Sequence, residues 1–532
     1  MPIGSEKSAR ISAWTLRCLR VALMAVSALA ILLFLVAARE RLYFPYEYDW
    51  IENGMVACVR HIHGGLPLYA APSINFTPFL YTPVYLYLAS AMARVTGVSY
   101  VPLRLLSIFS TIGCLAVIYK LVYEETRQHF AALAAAGLFA ACYATVYGTY
   151  DMGRVDMLYM FFVLCALYAT RRMHPLFAAL LWVCAFQTKQ GVLPVALLML
   201  CHTWRQPRRV LLGAGGFLAM LGVSIAWLSY ATGGWYRYYV FGMTSGFGYN
   251  MQNALQYIPG DLRVCGIALI LVLVALLLER PPDWRATIRN HPFSFYVLGT
   301  AGLVVFTGYI RAHRGANTNT LIPAYAWIAV LFGVALGRIH RRLAAQPETA
   351  ARVVLAVVML AAIVQIVQLR YSLDDAAPDS DDLAVRNQFE AVLQSIPGDV
   401  LVLSHPEDAL MAGKTEYASS EAAGAVIDAH NSRKGQQNGD KLMAEYAALI
   451  HSGRLSAIVL DWPVEQYLAI SRVWAPKDFL AYYPLRVSAV GGDERRFTSQ
   501  PKWIYLPCPA AGAVDEARML DANVDESACV KR

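Results

Sequence analysis

The sequence predicts a mainly α-helical membrane protein that crosses the bilayer many times and ends in a small α/β domain. Of its 532 residues, 57% are hydrophobic and only 15% are charged, whereas soluble domains carry about 25% charged residues. Apolar runs recur up to about residue 370, and most approach the roughly 20 residues that a membrane-spanning helix needs. Beyond that point the composition becomes that of a soluble domain.

The apolar runs predict a bundle of about 11 transmembrane helices, with the N-terminus in the cytoplasm. The first run follows Arg10, Arg17 and Arg20 and resembles a signal peptide, but its length and the many later spans favour an uncleaved helix. An odd number of spans places the C-terminus outside. The predicted spans cover approximately residues 21–38, 103–123, 130–147, 155–170, 176–188, 192–204, 210–230, a segment ending near 279, 293–310, 321–336 and 353–369.

Basic residues between the apolar runs support this orientation, because lysine and arginine concentrate on the cytoplasmic side of membrane proteins. The loop after the second span is ambiguous, since Glu124 and Glu125 accompany Lys120 and Arg127. The net charge of +8 therefore indicates membrane orientation rather than nucleic-acid binding. The clusters in the predicted inner loops are Arg171/Arg172, Arg205/Arg208/Arg209, Arg280/Arg285/Arg289 and Arg338/Arg341/Arg342.

The first external loop contains a second, shorter apolar segment, Thr82–Val95. It is too short to span the bilayer comfortably, so we interpret it as an amphipathic helix at the membrane surface. The alternative, a true span, would invert every later loop.

The sequence divides into a transmembrane domain, residues 1–370, and an extracytoplasmic α/β domain, residues 371–532. Val400–Leu403 and Ala457–Leu460 are predicted to be buried strands, and Asp440–Ser452 a helix between them. Cys508 and Cys529 lie in the polar tail and could form a disulfide if the tail is outside the cytosol.

Charged residues at membrane depth are costly and are therefore candidates for function. The first are Asp49 and Glu52, which are spaced to share one helical face after the first span. Asp49 could instead cap the following helix, and Glu47 is interpreted as an ordinary loop carboxylate. Asp151 and Asp156 flank the start of the fourth span, where Arg154 could form a structural ion pair with one of them.

Two cationic segments complete the candidate site. Lys189 lies between two short apolar segments, so its turn is expected to line a cavity, either for a phosphate or in a structural pair with Asp156. Arg311, His313 and Arg314 follow the ninth span together with Asn319. Arginine recognises phosphate well, although these residues could also snorkel to the interface.

The predicted topology places all these residues on the external face. Carboxylates and cations around one membrane-embedded cavity fit the transfer of a sugar from a polyprenyl phosphate. Cations stabilise the leaving phosphate, and one carboxylate deprotonates the acceptor hydroxyl. A glycosidase, in contrast, needs two carboxyl groups that flank the bond. Direct attack would invert the anomeric centre.

At these residues the chain resembles the GT-C superfamily, in particular the ArnT-like and protein O-mannosyltransferase-like enzymes related to glycosyltransferase family 39. The resemblance implies that Asp49 is the general base and that the other charged residues bind substrate. It also leaves open a divalent cation, which Asp49, Glu52 or Asp156 could bind. The segments that carry the resemblance are Asp49, Gly64–Tyr69, Tyr81–Pro83, Arg104–Ser107, Arg154–Leu158, Phe186–Gln190, Asn319 and Leu321–Tyr325.

The sequence thus predicts an inverting membrane glycosyltransferase that uses a polyprenyl-phosphate sugar and a hydroxyl acceptor on a lipid, glycan or protein. Its partners would be that donor, the acceptor and membrane lipid. The protein would be embedded in the plasma (inner) membrane, with its active site on the extracytoplasmic face. The main alternative is a transporter or lipid flippase, although no repeated halves are visible. A membrane-anchored binding protein would not account for Lys189 or Asp156.

Overall fold

The computed structural model describes residues 3–203, 205–243, 248–279, 291–313, 315–346, 349–429, 432–470, 473–489 and 501–507. Within them, the N-terminal part is almost entirely helical. Its main helices are α1 (Ile3–Leu42), α2 (Trp50–His63), α3 (Val84–Thr96), α4 (Tyr100–Thr126), α5 (His129–Val146), α6 (Asp156–Arg171), α7 (Pro175–Phe186), α8 (Gln190–Leu200), α9 (Pro207–Ala231), α10 (Met251–Glu279), α11 (Phe293–Arg311), α12 (Thr318–Ala344) and α13 (Thr349–Val367).

Eight of these helices are long and apolar enough to cross a membrane: α1, α4, α5 and α9 to α13. The other three predicted spans correspond to α6, α7 and α8. The 12 residues of α7 reach only about 18 Å, against a hydrocarbon core of about 30 Å. The prediction that two short apolar segments flank Lys189 is therefore confirmed.

Helix α10 begins earlier than the sequence predicts. It starts at Met251, within residues 232–263, a segment expected to form an external loop. The sequence there contains Pro259, which normally interrupts an α-helix. Residues Tyr257–Asp261 instead form a π-helical turn. This wider turn accommodates the proline and lets the helix continue.

The loop between α1 and α4 starts and ends at the same end of the bundle. Arg104, in the first turn of α4, donates hydrogen bonds to the backbone carbonyls of Arg41 and Phe44 at 3.1 and 2.6 Å. These two residues lie at the end of α1 and just after it. Helix α3 therefore does not cross the bundle, and the prediction of a surface helix is confirmed.

The opposite ends of α4, α6 and α12 are joined by ion pairs. Glu125 binds Arg171 and Arg338, both at 3.0 Å, and Glu124 binds Arg172 at 3.5 Å. Glu124 and Glu125 made the orientation of the loop after the second predicted span ambiguous. In the structure they neutralise basic residues at the ends of α6 and α12. The ends expected on one side of the membrane do lie together.

Helix α12 is the central span and packs against α4, α5, α10 and α13. Its close approach to α4 requires a small residue, since a Cβ atom on Gly337 would lie 2.4 Å from Thr126 Cγ2. This packing brings the first turn of α12 next to the start of α6.

The C-terminal part forms an α/β unit around a four-stranded sheet of order β1-β2-β4-β3. Strands β1 and β2 are parallel, and the other pairs are antiparallel. Both predicted strands and the predicted helix are present, whereas Cys508 and Cys529 lie outside the described residues. The elements are α14 (Ser380–Ser395), β1 (Asp399–Val402), α15 (Pro406–Met411), α16 (Ser420–Ile427), α17 (Arg433–His451), β2 (Leu455–Leu460), β3 (Leu485–Ser488) and β4 (Trp503–Leu506).

Candidate active site

Asp49 caps the N-terminus of α2 and also forms a buried ion pair. Its Oδ1 atom accepts a hydrogen bond from the backbone N–H of Ile51 at 2.9 Å. Its Oδ2 atom lies 2.8 Å from Nη1 of Arg154. The side chain is only 2% exposed. The capping alternative considered from the sequence is therefore correct, and it coexists with a charged contact that orients the second oxygen.

Arg154 connects Asp49 with a second carboxylate, Asp156. The Nε atom of Arg154 lies 3.3 Å from Oδ2 of Asp156. The other oxygen of Asp156 accepts hydrogen bonds from Lys189 Nζ at 2.7 Å and from Asn319 Nδ2 at 2.9 Å. Five of the polar residues identified in the sequence thus form one continuous network, although they come from four distant segments.

This network borders two small cavities. A cavity of about 10 Å³ is lined by Asp49, Arg154 and Asn319, among others. The second, of about 60 Å³, has Asp156, Lys189 and Asn319 among its polar lining. The side chain of Lys189 is 24% exposed, whereas that of Asp156 is 3% exposed, so the cation is the more accessible partner. The apolar lining of the second cavity includes Val195, Leu303, Phe306, Ile310 and Ile322.

Glu52 and Asp151 have other partners. Glu52 forms a buried ion pair with Arg104 at 2.9 Å and also accepts the backbone N–H groups of Tyr48 and Gly153. Asp151 lies 3.3 Å from Arg41. Both carboxylates hold together the loops that carry Asp49 and Arg154, so the structure gives each of them a supporting contact. Their expected role in substrate binding stays a prediction.

The cationic segment after α11 also has partners outside the network. Nε of Arg311 lies 3.0 Å from Oδ2 of Asp261. The ring of His313 packs against Tyr249 and Tyr309, with centroid separations of 4.6 and 5.0 Å. Arg314 lies outside the described residues. A substrate contact by any of these three remains a prediction, whereas Asn319 does join the network.

The three carboxylates considered for a divalent cation do not fit that role in this arrangement. The guanidinium of Arg154 lies between Asp49 and Asp156, where a shared cation would have to bind. Glu52 faces a different guanidinium, that of Arg104. Glu47, His405 and Asp408 also lie close enough together to share an ion. Arg386, however, forms ion pairs with the carboxylates of Glu47 and Asp408.

Glu47, predicted to be an ordinary loop carboxylate, joins the loop between α1 and α4 to the C-terminal unit. Its Oε1 atom lies 2.6 Å from Nδ1 of His405 and 2.9 Å from Nη2 of Arg386. The other ring nitrogen of His405 lies 2.9 Å from Asp461, and Arg386 also binds Asp408. No local pattern predicts this cluster, because Glu47 is separated from its other members by at least 339 residues.

The electrostatics of this cluster favour the charged forms of His405 and Glu47. Burial alone would lower the pKa of His405, but Asp461 and Glu47 raise it well above its usual value. Burial would raise the pKa of Glu47, yet Arg386 and His405 bring it below the usual range. Burial raises the pKa of Asp408 to about 7, despite Arg386. The cluster fixes the loop that carries Asp49 to the C-terminal unit.

Comparisons with known proteins agree with this architecture. The model of glycosyltransferase family 87 matches residues 79–308. The crystal structure of ArnT from Cupriavidus metallidurans bound to undecaprenyl phosphate superimposes with a TM-score of 0.55 at 14% identity, covering 90% of this chain and 97% of ArnT. The chain therefore shares the fold of ArnT, and residues 79–308 are similar to glycosyltransferase family 87. Apo ArnT gives a TM-score of 0.54 at 13% identity, with the same coverage.

No curated protein sequence matches this chain. At such low identity, the similarity to ArnT establishes the fold, while the family model covers the region from the surface helix α3 to α11. That region contains Arg154, Asp156 and Lys189 of the network. Asp49 and Asn319 lie outside it and join the network only through the tertiary fold.

Proposed function

We propose that this protein is a glycosyltransferase, which transfers a sugar from a polyprenyl-phosphate donor to an acceptor hydroxyl on the extracytoplasmic face, with Asp49 as the general base. The observation that carries the proposal is the continuous chain of contacts Asp49–Arg154–Asp156–Lys189 at the edge of a cavity. It places a buried carboxylate and an accessible ammonium group in one site.

The cavity beside Lys189 suits a lipid phosphate. Lys189 and Asn319 supply donors at its polar end, and aliphatic and aromatic side chains line the rest. A phosphate group would bind at the polar end, where an ammonium cation offsets its charge. An isoprenoid chain would follow the apolar side towards the bilayer. ArnT, which shares the fold, was crystallised with undecaprenyl phosphate, a lipid of this class.

The reaction follows from this arrangement. Asp49 accepts the proton of the acceptor hydroxyl, and the hydroxyl oxygen forms a bond to the anomeric carbon. The bond between that carbon and the phosphate oxygen breaks, and its electron pair leaves with the phosphate. Lys189 stabilises the added negative charge. Because attack and departure occur on opposite faces of the sugar, the anomeric configuration is inverted.

A transporter or flippase is less consistent with the same contacts. Charged groups that carry a substrate across the bilayer are expected near its midplane and between structural repeats. Here the network lies at the end of the bundle where α1 ends and α6 begins, and the C-terminal unit packs against that end.

The decisive experiment incubates the purified protein with a panel of polyprenyl-phosphate sugars and candidate hydroxyl acceptors, followed by mass spectrometry of the products. We expect one donor to be consumed, with release of polyprenyl phosphate and an acceptor heavier by one sugar. NMR of the product should show an inverted anomeric centre. Retention of configuration, or donor movement across vesicles without chemical change, would contradict the proposal.

A further inference from the structure

A separate, larger cavity of about 220 Å³ lies between α2 and the C-terminal unit. One wall consists of residues from the middle and end of α2, including Ala57, Arg60 and His61. Residues 75–77 form the second wall, and residues 416–419 form the third. The backbone N–H of Ala418 donates to the carbonyl of Ile74 at 2.7 Å, so the C-terminal unit closes this cavity.

The charges around this cavity do not favour an anion. Its cation, Arg60, is paired with Glu416 at 2.6 Å and also with Glu407. Two carboxylates therefore neutralise one guanidinium. Burial lowers the pKa of His61, so its imidazole is uncharged at neutral pH. A phosphate or carboxylate ligand would find no excess positive charge here.

The remaining lining suits an uncharged polyhydroxylated ligand. The rings of His61 and Phe76 stack in parallel, with centroids 3.7 Å apart and an angle of 3° between their planes. This pair forms the aromatic part of the cavity lining, and Asn75, Thr77 and Glu416 line the same cavity with hydrogen-bonding groups. A sugar ring has the same division, with apolar C–H faces and a polar edge. The volume holds several water molecules, enough for one such ring.

We propose that this cavity binds a neutral saccharide unit of the acceptor. The inference rests on the proposed function, because it assigns the acceptor of that reaction to the glycan class. Asp49 lies at the N-terminus of α2, and Ala57 and His61 lie about 12 and 18 Å further along it at 1.5 Å per residue. An acceptor of a few sugar units bound here would extend a hydroxyl towards Asp49, while the donor occupies the cavity beside Lys189.

Saturation-transfer NMR with the full-length protein tests this inference, using a panel of neutral methyl glycosides and short oligosaccharides as probes. We expect at least one probe to bind, and His61→Ala and Asn75→Ala to weaken it by about tenfold each. Asn75 is exposed, so its variant should fold even if that of His61 does not. His63→Ala, an exposed histidine of the same helix, is the matched control and should bind normally.

The outcomes separate this inference from the proposed function. Asp49→Asn should abolish transfer but retain glycoside binding. Glycoside binding that is lost in Asn75→Ala supports the saccharide site even if no polyprenyl-phosphate sugar is turned over. Absence of binding across the panel, equal binding by Asn75→Ala and wild type, or displacement of the probe by inorganic phosphate would overturn the inference, including when transfer is observed.

Discussion

Oδ2 of Asp49 and Nη1 of Arg154 lie 2.8 Å apart, and this contact joins the loop between α1 and α4 to the segment that precedes α6. Arg154 reaches Asp156 on its other side, and Asp156 binds Lys189. The proposed base, Asp49, and the proposed phosphate-binding cation, Lys189, are therefore connected through Arg154 and Asp156. The role of each can be tested separately.

Replacement of Asp49 by Asn should reduce kcat by about 10²- to 10⁴-fold, the usual contribution of a general base. Asn preserves the side-chain shape and can still cap α2, so donor affinity should be retained. Turnover and donor binding should be measured on the same preparation. Glu465→Gln, which removes an exposed carboxylate, is the control. Normal turnover by Asp49→Asn would rule out its role as the base.

Lys189→Met should weaken donor binding by about 10- to 100-fold, because a hydrogen bond to a charged group contributes about 1.5–3 kcal/mol. Titration with a polyprenyl phosphate that lacks the sugar isolates this effect from catalysis. Lys189→Arg should restore part of the affinity. Lys120→Met changes a lysine at the opposite end of α4 and should have no effect. Equal affinity of Lys189→Met and wild type would contradict a phosphate site here.

His405→Leu should lower the free energy of unfolding by about 3–5 kcal/mol, because it leaves Glu47 and Asp461 buried without their shared cation. The raised pKa of His405 means that its stabilisation is complete below about pH 6.5 and is lost as the pH rises through its folded-state value. The pKa of Asp408, raised to about 7, makes stability fall as the pH rises towards 7 and adds little further pH dependence above that value.

The pH dependence above pH 7 therefore distinguishes His405 from Asp408. Thermal unfolding midpoints of the wild type should fall with rising pH in that range, and this fall should be reduced in His405→Leu. His451→Leu, which removes an exposed histidine paired with Asp478, is the matched control. Parallel pH profiles for wild type and His405→Leu would show that the buried cluster does not contribute in its charged form.

Removal of divalent cations should leave activity unchanged, since Arg154 lies where a cation shared by Asp49 and Asp156 would have to bind. Initial rates should be compared with and without excess EDTA, with a metal-dependent enzyme in the same buffer as the control. A loss of activity that magnesium or manganese restores would show that the site rearranges to bind a metal.

The sequence alone determined the helical membrane architecture, the surface position of Thr82–Val95 and the candidate residues Asp49, Asp156 and Lys189. These follow from local properties, namely the length of apolar runs and the cost of placing charge beside them. The C-terminal strands were equally predictable from short apolar runs.

Only the tertiary structure decided which charges meet. Arg154 could be assigned to a pair from the sequence, but its contact with Asp49 depends on how α1, α4 and α6 pack. Arg311 pairs with Asp261 and Glu47 with His405, and neither partner follows from spacing. Ion pairs form between groups that folding brings within a few ångströms, and for residues hundreds of positions apart that proximity is a property of the packed helices rather than of any local pattern.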